Sequence, residues 1–212
     1  MPDAVNVNQT DSTQEEGYLS EYAVPEHEVG LYPTSGRAHR LATLEDVNAD
    51  AISHFHEHGY LVVDRGISDE MLKDSGDALY DLIDGKVSGF KSVTVESGAR
   101  ESFKTMGRDE RRAVVRKVFN FVDAEPRLGA LMADGGIVDV VRRMMGDEPV
   151  HLQDMALLKP PRIGREKPWH QDCAYFNVPI DTTVVGVWVA IDAATLENGW
   201  LHVIPGSHKE GP

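Results

Sequence analysis

The chain has 212 residues, 41% hydrophobic and 26% charged, with a formal net charge of −14 at pH 7. This composition supports one globular domain with a sizeable core, and its acidity argues against a general nucleic-acid binder, which needs a basic face. No apolar run is long enough to span a bilayer and no secretory leader is visible, and the lone Cys173 excludes an internal disulfide framework, so a cytoplasmic protein is expected.

Residues 1–42 read as an acidic, flexible tail, since 1–36 hold seven acids and neither Lys nor Arg. The folded domain is expected over 43–212. Thr43-Leu44-Glu45-Asp46 has the form of a helix N-cap, and Val47, Ala51, Ile52 and Phe55 then follow helical spacing up to Gly59. Residues 60–63 form a short apolar strand candidate. Ser68 caps a second helix with an apolar stripe of Met71, Leu72, Leu79, Leu82 and Ile83. Residues 85–107 read as loop or weak strand. Residues 108–121 begin as a helix carrying Arg108, Arg111, Arg112, Arg116 and Lys117, a basic run that either faces an anionic substrate or is a solvated face balanced by Asp109 and Glu110.

Two further helices follow over 126–133 and 137–145, split by Asp134-Gly135-Gly136. Beyond Pro149 the period changes to two. Residues 150–158 are strand-like, 162–168 a basic loop, 182–191 (TTVVGVWVAI) the strongest strand of the chain, and 200–204 another. Helices first and strands second suggest α+β, or a mainly β core with helices on one side.

The chemistry centres on residues 169–176, WHQDCAYF. In a strand His170 and Asp172 would project to one face. One imidazole and one carboxylate are two thirds of the two-His, one-carboxylate set that holds Fe(II) in oxygenases. His54, His56 and His58 also alternate, but helical spacing sets i and i+2 about 200° apart, so the three do not converge.

Several stretches, in order, resemble the phytanoyl-CoA dioxygenase family of Fe(II)/2-oxoglutarate oxygenases. They are HFHEHGYLVVD at 54–64, MALLKPP at 155–161, HQD with the following Tyr175-Phe176, Trp188, and NGWLHVIPGSHK at 198–209. The resemblance implies a double-stranded β-helix (a jelly-roll, cupin-like core) behind N-terminal helices. It implies His170 and Asp172 as iron ligands, and Lys117, Met155 and Trp188 around the 2-oxoglutarate co-substrate. With O₂, such a site hydroxylates a small molecule or acyl thioester and releases succinate and CO₂. For Lys117, Met155 and Trp188 the plain alternatives are a solvated lysine and ordinary core.

The family also places a second iron histidine, and an arginine for 2-oxoglutarate, after the PGSHK stretch. The sequence reaches Pro212 before either. A core incomplete at its C-terminus, and a piece of a longer oxygenase, are therefore expected. Two other readings stay open. One is a catalytically silent member acting as a binding or oligomerising module; the other is a metal hydrolase completed by His202. Neither nucleic acid nor membrane is expected as a partner, and the oligomeric state is not readable.

Overall fold

The computed structural model describes the backbone of residues 19–20, together with residues 36–96, 98–160, 169–176, 178–179 and 181–211. Most of the expected acidic tail and the basic loop at 162–168 lie outside the described residues.

The elements in chain order are β1 (Leu19–Ser20), β2 (Leu41–Thr43), α1 (Ala49–His58), β3 (Val63–Arg65), α2 (Asp69–Ile83), β4 (Val93–Val95), α3 (Arg108–Arg112), β5 (Val115–Phe119), α4 (Pro126–Met132), α5 (Gly135–Met145) and β6 (Met155–Leu157). The local chemistry explains most boundaries. Thr43 and Asp46 make a reciprocal cap, as their spacing predicts, but it closes a single 3₁₀ turn, Leu44–Asp46. The α-helix starts later, where the Asn48 side chain accepts from the Ala51 N–H at 3.0 Å. It ends at Gly59, in the left-handed region at φ +82°. Ser68 caps α2 through the Met71 N–H. Asp134 caps α5 through the N–H groups of Gly136 and Ile137, which places that helix start two residues earlier than expected.

One sheet has the order β1-β4-β5-β6, and β2 and β3 form a separate parallel pair. Its centre is β4, antiparallel to β5, with β5 antiparallel to β6. Leu19–Ser20 adds a short parallel edge to β4. The stretch at 85–107, expected to be mostly loop, thus supplies the strand in the middle of the sheet. Val93, Thr94 and Val95 are all buried.

The main core lies between this sheet and helices α2 and α4. It holds Ala78, Leu82, Val95, Phe103, Val115, Val118 and Leu128. A second, smaller cluster joins α1 to α5 through Val47, Ala51, Val140 and Met144, with Val185 packed against it. Burying a side chain such as Leu128 contributes on the order of 2 kcal/mol, and Gly129 lets α4 approach the Val122 carbonyl without collision.

Several expectations need correction. Lys117 lies on strand β5, because α3 stops after five residues at Arg112 and the β-branched run from Val114 continues as strand. Residues 182–191 and 200–204 form no hydrogen-bonded ladder and belong to no strand. Their β-branched and aromatic side chains suit a sheet, but no neighbouring strand pairs with them among the described residues. The sheet that does form is open, and no closed jelly-roll barrel exists among the described residues. His170 and Asp172 also lie outside any strand, as set out next.

Candidate metal centre

The His170–Asp172 pair meets through a turn. Gln171 has an extended backbone (φ −112°, ψ 131°) and leads into a 3₁₀ turn, Asp172–Tyr175. His170 Nε2 then lies 3.3 Å from Asp172 Oδ1. The expected side-by-side projection from a strand is replaced by a direct approach across one residue. Both groups face solvent, and the edge of His170 packs against the Tyr175 ring at 5.8 Å between centroids.

Two donors that share an ion at about 2.1 Å each stand roughly 3.0–3.4 Å apart, so the observed separation suits neighbouring ligands. An imidazole nitrogen and a carboxylate oxygen are also the donor types that an Fe(II) site uses. Among the described residues no third His, Cys, Asp or Glu joins them in a metal-holding group. His202 comes near the turn, its ring edge-on to Trp169 at 6.4 Å, without completing such a set.

Gln171, between the two candidate ligands, supplies the anchor. Its side-chain amide donates to the Ser207 carbonyl at 3.0 Å and to the Gly211 carbonyl at 2.7 Å. The turn that receives it is itself fastened to α1. The Gly206 N–H donates to the His58 carbonyl at 2.8 Å, and the His208 Nε2 lies 3.2 Å from the His56 carbonyl. These are the carbonyls a helix leaves unpaired at its C-terminus. A Cβ on Gly59 would collide with the His208 ring, so glycine serves both the left-handed cap and this close approach. Along α1, His54 and His58 stack one turn apart at 4.2 Å. The role of the PGSHK stretch as the receptor of Gln171 has no local sequence signal and emerges only in three dimensions.

The remaining predicted residues divide. Lys117 pairs with Leu157, and Phe119 with Met155, across β5 and β6. Lys117 and Met155 therefore share one face of the sheet, opposite Val118 and Ala156, which face the core. The Lys117 ammonium lies 5.8 Å from the Phe119 ring centroid. Met155 is partly exposed on this face. Trp188 is 49% exposed on the extended segment, outside the sheet. Cys173 is exposed within the 3₁₀ turn.

A family model, phytanoyl-CoA dioxygenase (PhyH), matches residues 55–212. The chain belongs to the phytanoyl-CoA dioxygenase family. The match takes in the last turn of α1, strands β4, β5 and β6 of the main sheet, the His170–Asp172 turn and the receiving turn at 206–211. Curated relatives agree with it. A probable phytanoyl-CoA dioxygenase of Caenorhabditis elegans is 29% identical over 172 residues, covering 77% of this chain and 53% of that protein. The phytanoyl-CoA dioxygenase domain-containing protein 1 of Danio rerio is 33% identical over 147 residues, covering 68% and 48%. A phytanoyl-CoA dioxygenase of Arabidopsis thaliana is 29% identical over 186 residues, covering 76% and 65%. The chain spans about half the length of the curated relatives it matches. No solved structure matches it significantly. Among the described residues no helix is long and apolar enough to cross a membrane.

Proposed function

We propose that this member of the phytanoyl-CoA dioxygenase family is an Fe(II)/2-oxoglutarate-dependent oxygenase of the cytoplasm, hydroxylating a small molecule or acyl thioester. The observation that carries the reading is the 3.3 Å approach of His170 Nε2 to Asp172 Oδ1 on a turn anchored by Gln171. His170 and Asp172 would hold the iron. Iron, 2-oxoglutarate and O₂ would together supply the oxidising power for C–H hydroxylation, with succinate and CO₂ as co-products.

This chain's own residues do the positioning. Gln171 fixes the turn on which both ligands stand. Lys117, on the sheet face it shares with Met155, offers a cation for a 2-oxoglutarate carboxylate. Met155 and Trp188 would give that co-substrate apolar walls and exclude water.

Anaerobic Fe(II) titration, with and without 2-oxoglutarate, tests the proposal beside His170→Ala, Asp172→Ala and Lys117→Ala. Binding should require both ligands, and Lys117→Ala should weaken only the 2-oxoglutarate enhancement. Fe(II) affinity unchanged in His170→Ala would overturn it. A second reading, a silent binding or oligomerising module, is favoured by the lack of a third ligand among the described residues. It predicts no Fe(II) binding coupled to 2-oxoglutarate.

A further inference from the structure

A second constellation lies on the helical side of the molecule, built wholly from residues between 73 and 127. A cavity of about 300 Å³ opens between α2, the Asp84–Lys86 turn, α3 and the first turn of α4. Four cations line it, namely Lys86, Arg108, Arg112 and Arg127, together with Tyr80, Asp77 and Asp81.

The carboxylates around it are already engaged. Asp84, its side chain 7% exposed, accepts from Arg108 Nε at 2.8 Å and from Arg112 Nη2 and Nε at 2.6 and 3.1 Å. Glu125, equally buried, accepts from Arg127 Nε at 2.8 Å and Nη2 at 3.1 Å. Asp81 takes Arg127 Nη2 at 2.8 Å and Lys86 at 2.5 Å, and Asp77 takes Lys73 at 2.7 Å. The Arg112 guanidinium is also seated over the Tyr80 ring at 4.0 Å.

Arg112 and Arg127 are thus each gripped along one edge by a carboxylate, and Arg108 is held through Nε alone. A guanidinium carries five N–H donors. Among the described residues no hydrogen bond occupies the Nη groups of Arg108, Nη1 of Arg112 or Nη1 of Arg127. Rigid, carboxylate-backed arginines with spare donors suit recognition of a multivalent oxyanion, because the ordering entropy is already spent. We propose that this cavity binds a phosphate-bearing small molecule through Lys86, Arg108, Arg112 and Arg127. A phosphate group accepts from several directions at once, and the volume admits a diphosphate. The net charge of −14 disfavours a nucleic acid as the source of that phosphate.

The scaffold keeps its charges over a wide pH range. Burial pushes the Asp84 carboxyl up, but the bonds and charges of Arg112 and Arg108 more than reverse this and hold it below its ordinary value. The Arg127 hydrogen bonds hold Glu125 down, and Glu125 and Asp81 in turn raise Arg127. The site uses no residue of the 169–176 turn, so it stands whether or not the metal reading does.

The test is calorimetric titration of the 212-residue chain with pyrophosphate, orthophosphate and sulfate at matched ionic strength. Lys86→Gln and Arg108→Gln alter the two most exposed cations of the site, and circular dichroism checks that each variant keeps its fold. Saturable binding is expected, tightest for pyrophosphate, and about tenfold weaker in each variant. The proposal is overturned by absence of saturable binding at millimolar pyrophosphate. Equal binding of all three anions, or unchanged affinity in both variants, would also overturn it.

Discussion

Residues 93–128 are poorer in β-branched and large apolar side chains than residues 182–204, yet it is the former region that forms core. Val95, Val115, Val118 and Leu128 are at most 2% exposed, whereas Val187, Trp188, Leu201 and Val203 are all about half exposed. The first region has β4–β5–β6 pairing and two helices closing one face. The second is extended without a ladder and touches the rest at separate points, including Val185 against the α1–α5 cluster and the Lys159 ammonium on the Gly199 carbonyl. Strand propensity is therefore a readiness to pair, and the partner decides whether it becomes core.

The contrast predicts unequal costs for one substitution. Leu128→Ala should destabilise the chain by roughly 2–5 kcal/mol through a cavity that cannot collapse. Leu201→Ala, removing the same atoms from an exposed position, should change stability by less than about 0.5 kcal/mol. Equal shifts in urea midpoint would abolish the distinction between the regions.

Next in size is the ion network that closes the helical side. Asp84→Asn leaves two arginines short of their shared carboxylate and should cost roughly 2–3 kcal/mol in chemical denaturation. The sign of its pH dependence follows. Asp84, Asp81 and Glu125 are all held below their ordinary values in the folded state. Their contribution is complete above the unfolded carboxylate range, about pH 4, and falls away as pH drops through the folded values. Thermal unfolding from pH 7 to 3 should show an acid loss that is smaller in Asp84→Asn, and a parallel loss in both proteins would refute the assignment.

Smaller effects sharpen the comparison from the other side. Gln171→Ala should cost about 1 kcal/mol of stability. It should also raise amide exchange across residues 206–211 and weaken Fe(II) binding while leaving the main core protected. Exchange unchanged at 206–211 would mean the amide does not hold that turn. Ser75→Ala, on the buried face of α2, should be neutral or stabilising by about 1 kcal/mol, since the Ser75 hydroxyl is buried without a hydrogen-bond partner among the described residues.

Much of the helical half was legible in the sequence, because caps and 3.6-residue periodicity are local signals. Ser68 and Gly59 bound their helices where the sequence places them, while the first helix is capped by Asn48 and not by Thr43. The misreadings share a cause. Val93–Val95 is too short to stand out, and its burial comes from β5 and α2, residues distant in sequence. Lys117 was assigned to the wrong element because a polar helical turn runs directly into a strand. The opposite error at 182–191 came from trusting composition where pairing was required. At the candidate site, motif order points to His170 and Asp172, but their meeting across a 3₁₀ turn has no signature in the sequence. Nor was the pairing of Gln171 with Ser207 and Gly211, which no local pattern encodes.

The bond between His208 and the His56 carbonyl spans 152 positions of sequence. Such a bond closes a long loop, and it forms only once both ends of that loop have been made. Until the 206–208 turn docks, the last carbonyls of the first helix stay turned to water. Because Gln171 is fastened to that same turn, the pair His170–Asp172 is set in place late, after the sheet and its helices have had time to form. The seating of the His170–Asp172 pair would then depend on a long-range contact made to the first helix.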